Sequence, residues 1–124
     1  MAKLLKPTLL VHMILALVLG ALLLIIPGGF LGAIGWAPVD PIISRILGAA
    51  LLAMAWGNFR VWRGGSPAET RLWVEFGLVF DTLAAIGVLR HLVTGWWPAM
   101  VWILFAVLAV AAVAWALIWR TLRA

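Results

Sequence analysis

WVEFGLVFDTLAAIGVL, residues 73–89, decides how the rest of the chain is read. Apart from Glu75, Asp81 and Thr82 it holds only apolar residues and glycine, and no proline breaks it. A helix that crosses a membrane needs about 20 mainly apolar residues. Carried back to Ala68, the stretch reaches that length, with Ser66 placed to cap the helix and Glu69 in its favourable first turn. The alternation of barrel strands is missing. The result is a helix at home in hydrocarbon that nevertheless keeps two carboxylates.

Three further runs have the same character. Residues 8–26 are apolar up to Pro27-Gly28-Gly29, which reads as a turn. Residues 41–62 open at Asp40-Pro41, where proline suits a first helical turn, and close at Arg63-Gly64-Gly65-Ser66-Pro67. Residues 98–119 again open on proline. With 68–89 these make four helices, and the expected fold is all-α: an integral-membrane four-helix bundle in a single transmembrane domain over 1–124. The first run, preceded by Lys3 and Lys6, also invites a signal-peptide reading. It exceeds the usual apolar core of about 7–15 residues, and Pro-Gly-Gly-Phe-Leu is a poor cleavage site, so an uncleaved helix is expected.

Composition agrees. Of 124 residues 67% are hydrophobic and 10% charged, against roughly 25% charged in soluble domains. The mean hydropathy is +1.21. A soluble fold of this size has no interior large enough for so much apolar surface, so a lipid bilayer is the expected surroundings. Cysteine is absent, which excludes disulfides and thiolate chemistry. The net charge of +5 comes from residues at the ends of apolar runs, where they report orientation and attraction to anionic headgroups. No basic stripe suits nucleic acid.

Orientation follows from those cations. Lys3, Lys6, Arg60, Arg63, Arg71, Arg120 and Arg123 fall on one side; Arg90 sits at the opposite end, with Arg45 a turn inside it. Both termini and the 63–67 loop are therefore expected on the cytoplasmic face of the cell's inner (plasma) membrane. Trp36, Trp96 and Trp97 would mark the outer interface, and Trp62, Trp73 and Trp119 the inner one. Ala49, Ala53 and Gly57 recur every four residues on the second run, as do Ala112 and Ala116 on the fourth. Such spacing lets helices approach closely, within one bundle or with a partner.

Ionisable groups at membrane depth tend to face the bundle interior or a partner. Asp81 sits near mid-membrane. It can pair with Arg45, be protonated against a backbone carbonyl or Thr82, or serve proton or cation movement or a partner's charge. His12, Asn58, Arg60 and Glu75 all fall toward the cytoplasmic side and form a polar cluster there if their faces converge. Alternatively Glu75 pairs with Arg60, or with Arg71 one helical turn away. His12 and His91 suggest a haem or chlorophyll, but they fall at opposite ends and cannot bracket one macrocycle. With no metal-ligand spacing, phosphate loop or nucleophile–base set, no cofactor, metal or catalytic residue is expected.

SRILGAALLAMAWGNFR, residues 44–60, with Arg45 at the helix start, Gly-Ala-Ala-Leu-Leu after it and an acidic third helix beyond a basic loop, resembles the small bacterial four-helix membrane proteins of DoxX-like type. The resemblance implies the same four-helix fold. Such proteins mostly lack an assigned activity. Small multidrug transporters carry an embedded Glu in helix one, where this chain offers only His12. The signatures of fluoride channels are absent as well.

The functional expectation is therefore a small membrane protein that is not an enzyme and works through helix contacts. It would be an accessory or assembly subunit of a larger membrane complex, or a homo-oligomer. The alternative is an oligomeric ion or small-solute transporter using Asp81.

Overall fold

The computed structural model describes residues 3–35 and 40–123; Trp36, expected at the outer interface, lies outside them. The described residues form five helices and no strand: α1 (Leu5–Ile25), α2 (Pro27–Ala33), α3 (Pro41–Gly64), α4 (Pro67–Leu92) and α5 (Ala99–Arg123). The four long ones are each long and apolar enough to cross a membrane. At about 1.5 Å per residue they measure roughly 31–39 Å.

Two differences from the expectation have simple causes. Pro27-Gly28-Gly29 is the first turn of α2 and not a turn between helices. Proline there gives up an N–H that no first turn can use, so it starts a helix as readily as it stops one. The long helices also outrun the apolar runs at several ends, because the flanking residues, among them Arg63, Arg90, Arg120 and Arg123, are themselves good helix formers; two of the starts are also capped. Asp40 accepts from the backbone N–H groups of Ile42 and Ile43 at 3.0 and 3.1 Å and so starts α3. Ser66 and Glu69 form a reciprocal capping box at the start of α4. Beyond its other end, Trp97 donates its indole N–H to the carbonyl of His91 at 2.9 Å.

The chain divides into two compact units: Leu9–Arg63, and Met1–Thr8 with Gly64–Ala124. In the first, α1 and α3 run antiparallel. His12 meets Asn58, Gly20 meets Gly48 and Leu24 meets Arg45, so positions climb along one helix as they descend along the other. In the second, α4 and α5 are antiparallel by the same test, with Glu75 against Trp119 and Asp81 against Trp115.

Buried positions follow helical seams. On α1 they are Leu9, Ala16, Gly20 and Leu23; on α4 they are Val74, Gly77, Asp81, Ala85 and Leu92. These steps of three, four or seven residues keep one face inward. The outward surface is also apolar: Ile42 is 71% exposed, Leu72 67% and Val110 70%.

Candidate functional site

One polar site lies between α4 and α5. Asp81 is 2% exposed and Trp115 fully buried. The Trp115 indole N–H donates to Asp81 Oδ2 at 2.9 Å. Trp115 can reach that carboxylate because Gly77, one turn before Asp81 on the same face, has no side chain. A Cβ there would stand 2.6 Å from the indole Cε2. One turn further along α5, Trp119 donates to Glu75 Oε2 at 3.3 Å in an exposed position. The Arg123 guanidinium lies 4.5 Å from the centre of the Trp119 ring, within cation–π range. Two tryptophans a turn apart on α5 thus meet two carboxylates on α4, one buried and one exposed.

A second polar set lies between α1 and α3. Asn58, fully buried, places its Nδ2 2.8 Å from the carbonyl of Met54 and 2.9 Å from His12 Nδ1. His12 itself is half-buried. Toward the other end of the pair, Arg45 Nη1 donates to the carbonyl of Leu24 at 2.6 Å. That carbonyl belongs to the last turn of α1, where four C=O groups lack helical partners, so Arg45 closes the end of that helix.

The other singled-out residues fall as follows. Arg60 is exposed. Glu75, expected in a polar cluster with His12, Asn58 and Arg60 or paired with Arg60 or Arg71, accepts from the Trp119 indole. Ala49 and Ala53 are exposed, while Gly57, Ala112 and Ala116 are half-buried. The tightest approach of α1 to α3 is made by Gly20 and Gly48. A Cβ on Gly48 would stand 2.6 Å from the Leu24 backbone nitrogen and 2.7 Å from the Gly20 carbonyl oxygen.

Trp115, Gly77, Gly20 and Gly48 were not singled out from the sequence. A signal for the first two was present. A tryptophan deep inside an apolar run needs an acceptor for its N–H, and Gly77 precedes Asp81 by one turn. Gly20 and Gly48 each stand four positions after a small residue, Ala16 and Ser44, so the spacing rule covers them as well, but spacing alone does not say which small residues make the crossing.

Chemically, the Asp81–Trp115 pair locks a carboxylate against a hydrogen-bond donor. Among the described residues no group of three or more His, Asp or Glu side chains is placed to hold a metal ion. No family model matches the chain, nor does any curated protein or solved structure.

Proposed function

We propose that this is a multi-pass protein of the cell's inner membrane that works through helix contacts, as an accessory or assembly subunit of a larger membrane complex or as a homo-oligomer. The observation that carries the reading is the placement of small residues on α3. Gly48 is spent on the crossing with α1, whereas Ala49 and Ala53 lie exposed beside Ile42 and Ile46. In lipid, helices associate by close packing, and a small-residue face is what another helix can approach. Lipid or a neighbouring helix would cover the apolar outer surface of the four long helices. An even number of crossings returns the chain to its starting side, and the excess of Lys and Arg puts that side in the cytoplasm. The same reading keeps the chain beside the DoxX-like four-helix proteins, with Arg45 at the start of α3.

The test uses the absence of native cysteine. Ala53→Cys, expressed in its own membrane, should cross-link to a neighbour under mild oxidation or with a short bifunctional reagent, while Leu83→Cys, on an exposed part of α4, should not. Gentle detergent extraction should then retain the same neighbour. A monomer by both measurements would sink the proposal.

One observation favours a second reading. A buried carboxylate in the middle of an apolar helix is what an oligomeric ion or small-solute transporter would use. In that case purified protein in vesicles would show solute-dependent flux that Asp81→Asn abolishes.

A further inference from the structure

We infer that Asn58 fixes the tautomer of His12, with the ring hydrogen on Nε2, so that His12 meets its surroundings as a hydrogen-bond donor and not as a ligand to a metal or haem iron. Met54 sets the direction of the first bond. Its backbone carbonyl can only accept, and the Asn58 side-chain atom facing it at 2.8 Å must therefore be the amide nitrogen. Turning the amide over would set oxygen against oxygen in a fully buried place and leave both acceptors unsatisfied. The carbonyl thus sets the amide, a local bond of the kind Asn makes to the fourth residue before it in a helix.

An amide nitrogen has two hydrogens. One goes to Met54; the other points at His12 Nδ1, 2.9 Å away. To receive it, Nδ1 must present its lone pair, and the ring hydrogen then belongs to Nε2. Three groups on two helices therefore form a relay of orientation in which a backbone carbonyl dictates the state of an imidazole on another helix.

The chemical consequence is specific. A histidine that binds a metal through Nε2 carries its hydrogen on Nδ1 and gives it to an acceptor, usually a carboxylate or carbonyl. Asn58 offers the reverse, a donor aimed at Nδ1. Binding through Nδ1 is blocked as well, because that lone pair is already engaged. The groups that can engage this imidazole at Nε2 are acceptors: carbonyl, carboxylate or phosphate oxygens.

The chain has only two histidines, so His91→Gln leaves a single imidazole to observe. In that protein, labelled with nitrogen-15 and held in bilayers or detergent, the two ring nitrogens resonate in separate regions according to whether they carry hydrogen. The expected spectrum has one protonated nitrogen, identified as Nε2 by its correlations to both ring C–H protons. Adding Zn²⁺ should move neither signal. A hydrogen on Nδ1, on both nitrogens, or averaged between them would overturn the inference, as would a zinc-induced shift. Asn58→Leu in the same background should release the ring into a mixture of tautomers. If that variant folds and keeps the Nε2 hydrogen, Asn58 is not the determinant. If it does not fold, the His91→Gln spectrum still decides the tautomer.

Discussion

Trp115 occupies the space that a side chain on residue 77 would need. The methyl group of an alanine at Gly77 would stand 2.6 Å from the indole Cε2 and 2.7 Å from its Nε1. The ring has little room to withdraw, since it is fully buried and tied to Asp81. Asp81, Gly77 and Trp115 are therefore one packing unit.

Gly77→Ala should cost about 1–3 kcal/mol by overpacking, and Gly77→Val more. The control is Gly87→Ala, where a Cβ meets nothing within 4 Å; it should be neutral or stabilising by up to about 1 kcal/mol on helix propensity. Thermal unfolding in one detergent compares the two. Equal behaviour would mean that the indole does not sit over Gly77.

At the other end of the same unit, Asp81→Asn keeps an oxygen for the Trp115 N–H and should be the mild change. Asp81→Leu strands that N–H in a buried site and should cost about 1–3 kcal/mol. Trp115→Phe removes the donor, and Asp81→Leu should be less harmful in its presence than alone. A double-mutant cycle should show coupling of at least about 0.5 kcal/mol; additive effects would deny the contact.

At the α1–α3 crossing, backbone atoms and not flexible side chains surround the Gly48 Cβ position. Gly48→Ala should therefore cost about 1–3 kcal/mol. Arg45→Gln loses only an exposed hydrogen bond to Leu24, worth about 0.5–1.5 kcal/mol. The glycine change should lower the unfolding midpoint further, despite altering no charge. The opposite ranking would show that Arg45, and not the crossing, holds the pair.

Ser66→Ala removes half of the capping box at the start of α4 and should cost about 0.5–2 kcal/mol. Because Ser66 is exposed, the change creates no cavity, and its effect should be local. Hydrogen exchange should quicken at the Glu69 amide and in the first turn of α4 while leaving the middle of α4 unchanged.

The long helices were legible in the sequence because a run of about 20 apolar residues has few other uses, and Asp40, Ser66 and Glu69 announce two helix starts by their chemistry. The short α2 was not, since Pro-Gly-Gly opens a helix and ends one with the same letters. For Asp81, charge logic offers Arg45, protonation or a functional role, and none of these readings names the Trp115 indole that donates to it. A tryptophan is read first as an interface marker, and its N–H becomes informative only when the depth of the residue is known. Repeat spacing picked out Ala49 and Ala53, on the exposed face of α3. The close approach of α1 and α3 rests on two glycines that lie 28 positions apart, as their numbers show, and only the folded register brings them together.

That register has a consequence for assembly. On the membrane reading, α1 and α3 insert separately and must then find each other sideways in lipid, where sliding along the helix axis costs little and many offsets offer similar apolar contact. Gly20 and Gly48 break that degeneracy. At the observed offset backbone meets backbone, while a shift of one residue in α3 would press Leu47 or Ala49 into a gap that has no room for even a methyl group. The two glycines act as a detent, turning a slippery search into one with a single stopping point.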